Sequence, residues 1–168
     1  MGDNIGIIGG SDGPTTVFIT EKSGVNWLNG FGLALVVLLL IPNIFYAIKT
    51  GNQRNQCTNQ AMNILEQIGR YGCMFLMVFH IGIAEFGFHS AAAFLVYLFG
   101  NAALMIAYWL MWALYFCKPT YWKQMWLAVL PTCLFFLSGI TMRHCLLILF
   151  GVIFGIGHIY VTSRNRVK

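Results

Sequence analysis

Residues 91–117 read AAAFLVYLFGNAALMIAYWLMWALYFC, a run without one charged side chain. About 20 residues of helix cross a hydrocarbon core of about 30 Å, so this run is long enough to span a bilayer. Working outward, the stretches 26–48, 68–88, 121–142 and 145–162 have the same character. The chain is therefore expected to be an all-α membrane protein, a five-helix transmembrane bundle over 26–168 behind a short Gly-rich segment at 1–25. Composition agrees, with 58% hydrophobic and 9% charged residues and a mean hydropathy of +0.72. Those values lie outside the range of ordinary soluble domains.

The ten Lys and Arg residues are scattered between apolar runs, so they read as topology signals and not as a nucleic-acid surface. Asp3, Asp12 and Glu21 precede the first run with one base, Lys22. Lys49, Arg54 and Arg70 mark the first connection, Lys118 and Lys123 the third, and Arg164, Arg166 and Lys168 the tail. The second connection has neither base, and the fourth has Arg143 alone. Positive charge collects on the cytoplasmic side, which puts the N-terminus outside and the C-terminus in the cytoplasm. Tyr108, Trp109, Trp112, Tyr115, Tyr121, Trp122 and Trp126 crowd the ends around Lys118 and Lys123, with Tyr46 and Tyr160 at the same level. Amphipathic rings collect in this way at a headgroup layer. The first apolar run starts late and lacks a basic leader, so no cleavable signal peptide is expected.

Several local features carry structural expectations. Pro42-Asn43 frees a carbonyl near the inner end of the first helix, and Pro131 should kink the fourth, with Thr132 satisfying a loosened carbonyl. Residues 49–60 form a strongly polar cytoplasmic linker. Ala61, Ile64, Leu65 and Ile68 then recur at helical spacing beside Glu66 and Arg70, which reads as an amphipathic approach on the membrane surface with an exposed i,i+4 pair. Ser90 is placed to cap the third helix. Gly151 and Gly155 share a face that admits a close neighbour.

Ionisable and polar groups inside hydrocarbon are costly and point to function. Counting depth along the helices puts His80 and Asn101 near the midplane, at the level of Pro131-Thr132, with Glu85 farther out. His80, Glu85 and Asn101 thus form either an intramembrane polar pathway or a satisfied interhelical hydrogen bond. Glu85, His89, Arg143 and His144 make an outward cluster that either holds a proton or cation or pairs charges at a wet interface. His158, near the inner end, is expected to snorkel or to bond a carbonyl. Cys57, Cys73, Cys117, Cys133 and Cys145 contain no Cys-x-x-Cys spacing and read as small apolar fillers. No metal centre, cofactor or catalytic residue is expected, since nucleophile and phosphate-loop motifs are missing from the sequence.

The segment Gly6-Ile7-Ile8-Gly9-Gly10-Ser11-Asp12-Gly13-Pro14-Thr15-Thr16-Val17-Phe18 resembles the Asp-Gly-Pro-Thr segment in the β subunit of sodium-translocating carboxylic-acid decarboxylases of the oxaloacetate and acyl-CoA type. That family couples decarboxylation to sodium export. The resemblance implies a sodium-binding role for Asp12, with Thr15 and Thr16 as neighbouring oxygens. Carboxylate and hydroxyl oxygens are ligands that hard cations prefer. Two functions follow as expectations. One is a small sodium- or proton-handling transport subunit in the cell membrane of a prokaryote, working as a homo-oligomer or with a partner membrane subunit. The other is a non-enzymatic accessory protein in which residues 1–25 form a structural cap. For the orientation, a cysteine placed at Ser23 is expected to react with an impermeant probe on intact cells, and one at Asn55 only after permeabilisation. The opposite pattern would invert the topology.

Overall fold

The computed structural model describes residues 28–51, 57–79, 81, 88 and 90–166. Among them are helices α1 (Gly30–Thr50), α2 (Gln60–Val78), α3 (Ala91–Cys117), α4 (Tyr121–Thr141) and α5 (Cys145–Arg164). Four of these, all but α2, are long and apolar enough to cross a membrane. The starts are chemically specified. Asn29 accepts from the Gly32 amide at 3.0 Å, Asn59 from Met62 at 3.3 Å and, as expected, Ser90 from Ala93 at 3.2 Å.

The second helix differs from the expected span 68–88. It begins at Gln60 and ends at Val78, after which Phe79 turns extended (φ −109°, ψ 126°) and pairs antiparallel with Leu28. The Asn29 amide takes the Val78 carbonyl at 2.7 Å, so a terminal helix acceptor is satisfied by chain from outside the helix. The amphipathic stretch expected on the membrane surface is the first half of this same helix. Its polar face turns inward against α5, which removes the reason for it to lie in the headgroups.

The helices form a ring. α5 lies between α2 and α4, α4 between α5 and α3, and α1 leans on α2 and α3. α2 and α5 run antiparallel, since Glu66, Gly69 and Gly72 stand against Gly157, Phe154 and Phe150 respectively. α4 is the innermost apolar helix, with 56% of its apolar window buried against 22% for α1. The expected glycine face of α5 is used: a Cβ on Gly155 would sit 2.8 Å from the Thr132 methyl of α4. A close approach of α2 to α5 was not read from sequence, for a Cβ on Gly69 would fall 2.6 Å from the Phe154 Cα.

Carbonyls beside the helix prolines Pro42 and Pro131 find side-chain donors. The Trp109 indole donates to the carbonyl of Leu38 at 3.3 Å, the group that lacks a donor because of Pro42, and the Asn43 amide donates to the Leu39 carbonyl at 2.8 Å. Thr132 Oγ1 donates to the Ala128 carbonyl at 3.0 Å beside Pro131. One end of the ring is basic. Lys49 lies 5.2 Å over Phe116, Arg166 lies 4.9 Å over Tyr121, and Lys123 caps α3 through the carbonyls of Leu114 and Lys118, each at 2.9 Å. Tyr46 joins this end, 5.2 Å from Trp112.

Gly69→Ala is expected to lower stability in detergent by about 1–3 kcal/mol, because the added methyl meets backbone that cannot rotate away. Gly30→Ala, with nothing within 4 Å of the added carbon, is expected to be neutral or slightly stabilising. Equal melting temperatures for the two variants would contradict the close α2–α5 contact.

Candidate functional site

The α2–α5 contact carries a carboxylate into the protein. Glu66 is only 7% exposed, and a Cβ on the facing Gly157 would stand 2.8 Å from the Glu66 Cα. A buried carboxylate is strongly disfavoured unless it is paired. Glu66 Oε1 is paired twice. Arg70, one turn along α2, donates to it, and His158 Nδ1 of α5 lies 2.9 Å away. A carboxylate only accepts, so Nδ1 carries a hydrogen, and the charge of the imidazole depends on Nε2 alone. The His158 ring is held by stacking on Phe154, with centroids 4.7 Å apart and planes 17° apart.

Two expectations change here. The Glu66–Arg70 pair is not an exposed surface pair, because the carboxylate is covered by α5. His158 neither snorkels nor bonds a carbonyl; it closes on a carboxylate 92 positions away in sequence. That separation is why sequence reasoning missed the constellation. Only the i,i+4 spacing of Glu66 and Arg70 was visible.

Arg70 and His158 border a cavity of about 230 Å³ to which all the helices contribute. α1 supplies Leu39, Leu40 and Asn43, and α3 supplies Tyr108. Leu127, Pro131 and Phe135 of α4 complete the apolar wall, with Met74 and Phe154. The Asn43 amide donates to the Tyr108 hydroxyl oxygen at 2.8 Å, so the hydroxyl hydrogen remains available for another acceptor. The chamber combines hydrocarbon walls with a guanidinium, an imidazole and a phenol. Binding sites for small molecules are commonly built in this way, with a few polar groups set in an apolar surface.

Asp12, Thr15, Thr16, His80 and Glu85 lie outside the described residues, as does His89. Asn101 is buried at 1% exposure, as a mid-depth polar group should be. Its Oδ1 accepts from Ser138 Oγ at 3.2 Å and its amide donates to the Tyr97 carbonyl at 2.8 Å. Its level on α4 is therefore that of Ser138, while Thr132, expected beside it, packs on Gly155 of α5. Of the expected outward cluster, Arg143 is exposed in the α4–α5 turn with φ 56°. His144 is buried, and its Nδ1 accepts from the Leu147 amide at 3.2 Å to cap α5.

No protein-family model, curated protein or solved structure matches this chain. Its chemistry is thus read from its own residues. Glu66→Ala is expected to destabilise the protein by about 3 kcal/mol, the low end for a broken buried pair because Arg70 keeps some solvent contact. Glu66→Gln, which retains volume and an acceptor, should cost less. Thermal melting in detergent checks both, and a Glu66→Ala protein as stable as wild type would contradict the burial of this carboxylate.

Proposed function

We propose that the chain is a multi-pass integral membrane protein that handles protons at the Glu66–His158 pair, as a small ion-transport or ion-sensing subunit. The observation that carries this reading is a buried carboxylate bound to an imidazole beside a polar-armed cavity at the centre of the helix ring. Ionisable groups so placed mark ion pathways and proton relays. His158 is the natural proton carrier, because an imidazole can gain or lose a proton on one ring nitrogen while the other keeps its hydrogen bond to Glu66. Arg70 supplies a fixed counter-charge.

The same arrangement favours the proton over sodium at this site. The charge of Glu66 is already balanced by Arg70, and a nitrogen-rich set of side chains is a poor match for a hard alkali ion. A sodium role belongs to the other part of the proposal, Asp12 with Thr15 and Thr16, and is supported by the resemblance to the decarboxylase β subunit. With the basic end of the ring in the cytoplasm, the site lies about 9–12 Å inside that face, two turns from the start of α2 and the end of α5. An accessory role is the second reading. It is favoured by α1, whose exposed Val37, Ile41, Ile44 and Ile48 suit a partner membrane subunit, a second copy or lipid.

Proteoliposomes holding a pH gradient and an internal pH dye test the proposal. Wild type is expected to dissipate the gradient, and Glu66→Gln and His158→Gln are expected to fall to the protein-free background. Wild type at that background would leave the accessory reading. Addition of sodium tests the N-terminal part: a sodium-dependent change in flux or melting temperature should vanish in Asp12→Asn, and its persistence there would remove Asp12 from ion binding.

A further inference from the structure

Resting on the proton-handling reading above, we propose that the central cavity binds a small organic anion, a carboxylate on an apolar body, together with a proton on His158. Charge balance drives the argument. With His158 neutral, Glu66 and Arg70 cancel and the cavity presents no net charge. A proton on His158 leaves the group at +1 in a chamber walled by Leu39, Leu127 and Phe135. An uncompensated charge in such surroundings is costly, and an anion entering with the proton restores neutrality.

Every helix contributes to the surroundings of His158. α2 brings Glu66 and Arg70, and α3 brings Tyr108. α1 brings the uncharged Asn43, and α4 brings only apolar side chains. The donors suit an oxyanion. The guanidinium of Arg70 has five N–H groups in a planar fork, of which Glu66 Oε1 engages one terminal nitrogen. Tyr108 OH retains its hydrogen because its oxygen accepts from Asn43. Arg70 offers no acceptor, and the Tyr108 oxygen already accepts from Asn43, so this pair favours an anionic ligand over a cationic one.

Size narrows the class further. An apolar cavity of about 150 Å³ holds benzene, so the 230 Å³ chamber has room for about nine heavy atoms on that scale. A carboxylate on a single ring or on a short alkyl chain fits. A planar or tetrahedral oxyanion on an apolar tail is also the chemistry of a lipid headgroup, and the test separates the two.

The whole protein in phosphatidylcholine nanodiscs is titrated with labelled benzoate at about pH 5.5 and about pH 7.5, either side of the range in which imidazoles exchange protons. Saturable binding is expected, tighter at the lower pH by up to about tenfold per pH unit, with one proton taken up per benzoate. Benzyl alcohol, similar in size but neutral, should bind more weakly and without pH dependence. Tyr108→Phe should weaken benzoate by about tenfold. Leu127→Phe, which fills the chamber, should abolish binding while the protein still melts cooperatively.

Absence of saturable benzoate binding by folded wild type, pH-independent affinity, or benzyl alcohol binding equally well would each overturn the proposal. So would phosphatidylglycerol displacing benzoate from the site when phosphatidylcholine does not, since the cavity would then belong to a lipid headgroup. Proton flux in liposomes without benzoate binding would sink this inference alone and leave the reading of Glu66 and His158 standing. Benzoate binding with neither proton uptake nor flux would sink both.

Discussion

The contact of α2 with α5 through Gly69 and Gly157 is the constraint on which the site depends. With no Cβ at either position, each helix backbone sits against the other, Gly69 on Phe154 and Gly157 on Glu66. Ordinary helix pairs keep their axes about 8–10 Å apart, and glycine contacts allow the closer end of that range. The Glu66 side chain is short. It reaches His158 at 2.9 Å from a neighbouring helix because that helix is pressed close. The ion pair in turn helps a helix less apolar than the other four to run beside α5 for most of its length, since the carboxylate it buries there is paired with Arg70 and His158.

A second constraint is the accounting of backbone polar groups in an apolar bundle, where water is not available to repair a broken helix bond. Pro42 would leave the Leu38 carbonyl bare, and the Trp109 indole from α3 takes it. This ties the loosely packed α1 to α3 at a defined height. Asn43, next along, bonds both the Leu39 carbonyl and the Tyr108 hydroxyl. Beside the proline, Asn43 thus holds the phenol that lines the cavity with Arg70 and His158.

The basic end of the ring joins topology to helix chemistry. Lys123 occupies two terminal carbonyls of α3, and Gln124 donates to the Asn165 carbonyl at 2.6 Å, joining the start of α4 to the end of α5. Lys49, Arg164 and Arg166 spread over aromatic faces at the same level. These cations complement the negative ends of α1, α3 and α5, so the charges that would hold the chain in one orientation also close its helices. The proposed proton site lies about two turns inside this layer.

The sequence by itself determined the helical class, four of the apolar spans, the Ser90 cap, the positions of the helix prolines and the spacing of basic residues along the chain. Each of these follows from local composition, or from the period of a single helix, and needs no knowledge of neighbours. It was silent on which helix faces meet. Glu66 and Arg70 looked like a surface pair because i,i+4 spacing is the same on a buried and an exposed face. Asn101 was recognised as a buried polar group, but its partner, Ser138, depended on how far α4 is shifted along α3. The end of α2 at Val78 escaped the hydropathy pattern, since the apolar residues continue to Phe88 and the stop comes from a hydrogen bond donated by Asn29. The site is tertiary for the same reason: Arg70, Tyr108 and His158 share a cavity only because glycines let α2 close on α5 and because Asn43 positions the hydroxyl across the ring.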